Sequence, residues 1–242
     1  MLLTAVLSVA FCSLTGLSKD EAPAKKDNVP PPGFTALFNG KDLTGWKGAV
    51  DIGTRAKVSP EELEKRQKAA NEKAFKMWFV EDGAIRLVPE KGGVNLATDK
   101  DYGDFELLID WKIEAKGDSG LYLRGTPQVQ IWDSDNLADN LKEDRGLGSG
   151  GLWNNPKDNE KYKKGQKPLK KADKPVGEWN TFRIIMKGEN VTIFLNDVKI
   201  IDDAALAPYK PFSAELPKKG PIELQFHGDK LWFKNIFIKE LK

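Results

Sequence analysis

The chain has one cysteine and one histidine in 242 residues, and its charges nearly cancel to a formal net charge of +2. Each scarcity removes a class of function. The lone cysteine, Cys12, lies in the apolar run that opens the chain, so the remainder has no disulfide, no thiolate metal site and no cysteine nucleophile. Lysines are scattered in loops between acidic residues and form no stripe, which argues against nucleic acid as a partner. Glycine-rich phosphate loops, HExxH, clustered His/Cys ligands and a GxSxG elbow are all missing, which removes the familiar cofactor and serine-hydrolase readings.

The opening residues MLLTAVLSVAFCSLTGLS are apolar, end in small residues and precede the charged Lys19, Asp20 and Glu21. They read as a signal peptide over 1–18, too short for a transmembrane span, with a buried N-terminal helix as the alternative. Export to the periplasm, cell envelope or exterior follows from that reading, and Cys12 offers a lipoprotein acylation site although the bulky Phe11 precedes it. Residues 19–32, rich in Lys, Ala, Asp and Pro, cannot pack a core and are expected to form a stiff tether. One domain, 33–242, remains.

From Gly33 onward, short alternating runs are punctuated by Gly, Asn, Asp and Pro, as in antiparallel strands. Phe105, Leu107, Ile109, Trp111 and Ile113 alternate with Glu106, Leu108, Asp110 and Lys112, giving one apolar and one mostly polar face. Lys187-Gly188-Glu189-Asn190 and Asn196-Asp197 are hairpin signals. About a dozen short strands without alternating helices predict an all-β sandwich or jelly roll. Ser59-Pro60-Glu61-Glu62 supplies an N-cap, a first-turn proline and first-turn acids, so a helical insertion is expected near 59–76, either covering a sheet edge or forming a lid. The long stretch from Ser134 to about Pro175 is expected to be ordered and functional in its first half and a solvated excursion in its lysine-rich second half.

Strand parity selects the candidate site. With Leu224 and Phe226 inward, Gln225 and His227 share the other face. The same logic pairs Glu106 with Asp110, sets Tyr122 and Arg124 opposite Leu121 and Leu123, and groups Gln128, Gln130 and Trp132 opposite Val129 and Ile131. A shared face of carboxylate, guanidinium, imidazole, amides and indole suits a sugar, because polar groups bond hydroxyls and a ring packs on the pyranose. Gly148, Gly150 and Gly151 are expected to turn the backbone so that Trp153 and Asn154 reach its rim. The opposing reading of this face is a solvated outer sheet, its histidine merely structural.

The strings FTALFNGKDLTGW (34–46), WFVEDGAI (78–85), YGDFELLIDWKI (102–113), SGLYLRG (119–125), VQIWD (129–133), GSGGLWNNP (148–156), GEWNTFRIIMKG (177–188), VTIFLNDVKI (191–200) and GPIELQFHGDKLWFKNIFIKEL (220–241) resemble, in order and spacing, the 3-keto-disaccharide hydrolase-like domains, also known as domain of unknown function 1080. The resemblance spans about 34–241. It implies a concanavalin-like jelly-roll sandwich of two curved antiparallel sheets, envelope export, and cleavage of glycosides already oxidised at C3. Two positions depart from the pattern: Lys234 stands where arginine is frequent and Phe226 where a second histidine is frequent, and the helical insertion is longer than the family leads one to expect.

A 3-keto glycoside invites β-elimination, since the ketone acidifies the hydrogen on C2 and the leaving group departs from C1; water then adds to the enone. The residues assigned to this chemistry are His227 and Glu106 as base and acid, with Arg124 or a bound divalent cation holding the enolate. Gln130, Trp132, Tyr122, Gln225, Trp153, Asn154 and Asp110 are the candidate substrate contacts. Asp133 is a candidate metal or hydroxyl ligand only if its strand ends or bulges there; shared with His227 and Glu106, the ion would be Zn, Mn or Fe. No cofactor is certain. The competing functions are a non-catalytic carbohydrate-binding module, expected to show a long open groove lined by aromatics, and a structural or adhesion domain, expected to show no organised polar cluster.

Overall fold

The computed structural model describes residues 26–125, 128–136, 138, 142–208 and 215–242. The signal and lipidation readings, and the first half of the tether, lie outside the described residues. Among the described residues the chain forms strands β1 (Thr35–Ala36), β2 (Trp46–Gly48), β3 (Trp78–Glu81), β4 (Ala84–Leu87), β5 (Leu96–Thr98), β6 (Phe105–Ile113), β7 (Asp118–Tyr122), β8 (Gln128–Trp132), β9 (Asn180–Lys187), β10 (Asn190–Leu195), β11 (Val198–Ala205), β12 (Glu223–Leu224) and β13 (Leu231–Glu240). Helices are few: α1 (Ile52–Arg55), α2 (Pro60–Met77), α3 (Lys142–Arg145) and α4 (Glu160–Lys163).

Two antiparallel sheets result. The larger runs β11-β10-β9-β6-β13-β4-β3, with β1 added beside β13; the smaller runs β2-β5-β12-β7-β8. Their apolar faces meet, as the period-2 pattern requires: Phe105, Leu107, Ile109, Trp111 and Ile113 of β6 are buried, together with Leu121, Val129, Ile131 and Leu224 from the small sheet. Phe226 is only partly buried against this core. Tight turns fix the register of the meander. Lys187 pairs with Asn190 across Gly188-Glu189, and Leu195 pairs with Val198 across Asn196 and Asp197, both at positive φ as a two-residue type I′ hairpin demands. The small strands β1 and β2 escape the sequence pattern because two or three residues are too few to show a period.

Helix α2 begins as expected, with the Ser59 side chain accepting from the Glu62 backbone N–H and Pro60 in the first turn. Its buried residues are Ala70, Ala74 and Met77, and it lies across edge strand β2. The approach is close: a Cβ on Gly48 would sit 2.2 Å from the Ala70 carbonyl oxygen. Gly48→Ala is therefore expected to push α2 off the edge and to cost about 2 kcal/mol, read as a lower midpoint in thermal unfolding.

The described end of the tether is not free. Asn28 and Asn235 exchange two hydrogen bonds, Asn28 N–H to Asn235 Oδ1 at 2.6 Å and Asn235 N–H to Asn28 Oδ1 at 3.0 Å, and Lys234 pairs with Asp27 at 2.7 Å. Asn235 sits at the irregularity in the β13–β6 pairing, with φ 52°, where unpaired backbone groups seek partners. The lysine-rich half of the long loop is largely solvated, as expected, but it is anchored at points along its length. Leu169 N–H donates to Ile200 O, Leu152 N–H to Gly165 O, and Gln166 is buried.

Candidate functional site

The outer face of the small sheet carries a polar row interrupted only at Ala97. Register places Lys47, Ala97, Glu223, Tyr122 and Gln128 side by side across β2, β5, β12, β7 and β8. Gln225 follows Glu223 by two residues, Gln130 follows Gln128, and Asp118 stands opposite Trp132. The amides are bonded into a chain: Gln128 Nε2 donates to Gln225 Oε1 at 2.8 Å and to Gln130 Oε1 at 2.9 Å, and Gln130 Nε2 donates to Asp118 Oδ1 at 2.7 Å. Gln225 Nε2 donates to the Tyr122 hydroxyl at 3.2 Å. These groups are buried, so nearly all must be satisfied internally, and the network fixes each rotamer.

Most of this face is roofed. Arg145, at the end of α3, donates from Nη2 to Asp118 Oδ2 at 3.2 Å and stacks its guanidinium 5.2 Å from the centre of the Trp132 ring. Gly148 and Gly150 adopt positive φ, and Trp153 arrives with its ring edge-on to Trp132 at 5.3 Å and its backbone N–H donating to Gln128 O. The glycine loop thus reaches the face as expected. It also closes it: the gap among Gln130, Trp132, Trp153 and Gln166 is only about 10 Å³, and Trp132 is 4% exposed. Trp132 therefore offers no open ring for a sugar, and Trp153, half-buried, is the more accessible indole. The Asn154 Nδ2 beside it is buried without a hydrogen-bond partner.

What stays open is a cavity of about 350 Å³ lined by Ala49, Asp51, Gly93, Val94, Asn95, Tyr122, Gly125 and Glu223. Glu223 is 4% exposed and receives one hydrogen bond, from Asn95 Nδ2 at 2.9 Å. Burial pushes its carboxyl up to about 7, only partly opposed by the Asn95 bond and by the charge of Arg55. A carboxyl balanced between its two protonation states near neutral pH, in a sugar-sized cavity, is suited to move a proton. Sequence parity had the signal, since Glu223 shares the face of Gln225 and His227.

His227 stands at the other end, by Asp118, with Nδ1 4.0 Å from Asp118 Oδ1 and 4.0 Å from Asp229 Oδ2. It is half exposed. Burial holds the Asp118 carboxyl above the usual carboxylate range, against the opposing pulls of His227, Gln130 and Arg145. Glu223 is opposite Tyr122 and His227 is beside Asp118, the two ends of β7, so the two groups are roughly 13 Å apart by strand geometry.

Three expected members are elsewhere. Glu106 and Asp110 lie on the outer face of the large sheet, where Glu106 accepts from Arg183 Nε at 2.6 Å and Asp110 from Thr181 Oγ1 at 2.6 Å and Asn235 Nδ2 at 2.7 Å. Parity within β6 separates its two faces correctly but says nothing of which sheet β6 joins. Arg124 follows the end of β7 at φ 56°, so alternation no longer applies. Its guanidinium, 3% exposed, donates to Gly103 O, Pro217 O and Asp104 Oδ1. Asp133 is just past β8, as its candidacy required, yet its oxygens accept from the backbone N–H groups of Lys116, Asp135 and Asn136. His227, Glu106 and Asp133 thus do not converge on one ion. Among the described residues no group of three or more His, Cys, Asp or Glu stands where it could hold a metal.

The family model described as the 3-keto-α-glucoside-1,2-lyase-like domain matches residues 33–239. The chain belongs to this family. Within reach of the 3-keto-α-glucoside-1,2-lyase-like domains is a curated relative, the 3-keto-disaccharide hydrolase of Bacteroides thetaiotaomicron, 25% identical over 93% of this chain and 85% of that protein. A crystal structure of a candidate glycosyl hydrolase from Parabacteroides distasonis is 28% identical, covers 90% of this chain and all of its own, and superposes with a TM-score of 0.62. A second from the same organism gives 25%, 86%, 99% and 0.56. Family membership makes this a carbohydrate-active protein, and among the described residues no helix is long and apolar enough to cross a membrane.

Proposed function

We propose that the protein cleaves glycosides carrying a ketone at C3, by elimination across C1–C2 followed by hydration, with Glu223 as the proton-transfer group. The observation that carries this reading is the buried carboxyl of Glu223, pushed up to about 7, on the wall of the 350 Å³ cavity. In the ionised form it takes the C2 proton; the C–H electron pair becomes the enolate of the C3 ketone. The enolate then collapses, the C1–O bond breaks, and the departing oxygen takes a proton. Water adds at C1 of the enone, a proton returns to C2, and the sum is hydrolysis. Tyr122, facing Glu223 across the strand pair, is placed to donate to the developing oxyanion, and the Gln225 amide on its oxygen favours that donation. No step is routed through a metal, because the donors proposed for one do not converge. Export belongs to the same reading, resting on the apolar run 1–18.

The test is incubation of the purified protein with a 3-keto-glucoside and with its unoxidised parent. Release of the aglycone from the first alone is expected; binding of both without release would make it a binding module. His227, half exposed and far from Glu223, is assigned to holding the substrate. His227→Gln should leave stability within about 0.5 kcal/mol and lower turnover less than a Glu223 substitution does, measured by unfolding and by steady-state kinetics on the same preparation.

A further inference from the structure

A second, larger cavity of about 780 Å³ lies beside the first, between α2 and the β2–α1 segment, lined by Lys47, Arg55, Pro60, Leu63, Gln67 and Phe75 among others. The two share their dividing elements. Lys47 and Ala49, two residues apart and so on one side of an extended segment, face the groove and the Glu223 cavity respectively. Around α1 the order is reversed: Asp51 lines the Glu223 cavity and Arg55, one turn on, lines the groove. In the small sheet Lys47 and Glu223 flank Ala97, so the groove begins roughly 10 Å from the carboxyl, two strand spacings away. The groove therefore opens beside the site.

The chemistry of its wall differs from that of the cavity. Leu63 and Phe75 present apolar surface to the groove, and Phe75 is 44% exposed within that concave wall. The two amides on the wall have prior engagements: Gln67 Nε2 donates to Gly48 O at 2.7 Å and to Asn71 Oδ1 at 2.8 Å, and Asn71 Oδ1 also accepts from Gly48 N–H. They hold α2 to β2, and that limits what they can offer to the hydroxyls of a second sugar. Lys47 Nζ is likewise turned to Asp99 O. A row of side chains spaced three and four apart on α2, from Pro60 through Leu63, Gln67 and Asn71 to Phe75, forms the long side of the groove.

We propose that this groove is the leaving-group subsite and that it selects glycosides with an apolar, planar aglycone. This rests on the elimination reading above. The test compares kcat/KM for 4-nitrophenyl and methyl 3-keto-glucosides, each in α and β forms, in the native protein and in Phe75→Ser. The native protein is expected to prefer the nitrophenyl substrate, and Phe75→Ser to reduce that preference at least tenfold. An undiminished preference in Phe75→Ser, or a preference that disappears instead in Trp153→Ala, would overturn the assignment. If neither keto substrate is cleaved, the elimination reading fails on its own, and the groove is read separately by calorimetric titration of unoxidised 4-nitrophenyl glucoside. Binding that is lost in Phe75→Ser then supports the apolar subsite, and absence of binding to the native protein overturns it.

Discussion

Glu223→Gln should lower turnover of a 3-keto-glucoside by roughly 10²–10⁴-fold, the contribution of a positioned proton-transfer group. The amide is nearly isosteric, and its oxygen can still accept from Asn95 Nδ2, so the cavity keeps its shape while losing its base. Stability should move the other way. Because burial raises the folded-state pKa to about 7, the protonated carboxyl is favoured in the fold, and the associated stability is fully present below the unfolded-state value near 4.5. It is lost as pH rises through about 7. The loss is on the order of 3 kcal/mol across that window. A glutamine never ionises, so the variant should melt above the native protein at pH 8 and close to it at pH 4.5. Activity of the native protein should rise with pH through about 7, as the base ionises. A variant that loses activity and stability together at pH 8 would point to a structural carboxylate instead.

Arg124→Met should cost on the order of 3 kcal/mol and lower the melting midpoint by roughly 6–12 °C. Its guanidinium ties its own segment to two others, donating to Gly103 O and Asp104 Oδ1 and to Pro217 O, and methionine would leave two partly buried backbone carbonyls without that donor. Asp104 is partly exposed and can turn to water, which keeps the cost from being larger. The positive φ at this position is equally unfavourable for both side chains and cancels from the comparison. Turnover per folded molecule should change little. A large fall in turnover with an unaltered melting curve would return Arg124 to the chemistry, where its place beside Tyr122 in the sequence suggested it belonged.

The two residues show how far a sequence can be read. Parity along Gln128-Val129-Gln130-Ile131-Trp132 and along Leu224-Gln225 placed every polar side chain on the correct face, because successive side chains of a strand point to opposite faces whatever its neighbours do. Parity failed at Arg124, where the strand has ended and the backbone turns through positive φ, a feature that leaves no periodic trace. It also failed for Glu106 and Asp110, since membership of one sheet or the other is decided by long-range pairing. Burial of the polar face was equally hidden: that Arg145 and the glycine loop roof over Trp132 depends on a segment that crosses from β8 to β9 without a period of its own. Glu223 was legible but overshadowed by the single histidine, whose rarity drew the chemistry to itself.

The central claim is that a proton leaves C2 of the sugar through Glu223. It is tested most directly by running the reaction in D₂O and following deuterium at C2 of the released 3-keto sugar by mass spectrometry and NMR, against an enzyme-free control. The account predicts deuterium at C2 in the product of the native protein and none above the control with Glu223→Gln. Release of a sugar that keeps its original C2 hydrogen, or undiminished exchange in the variant, would contradict it.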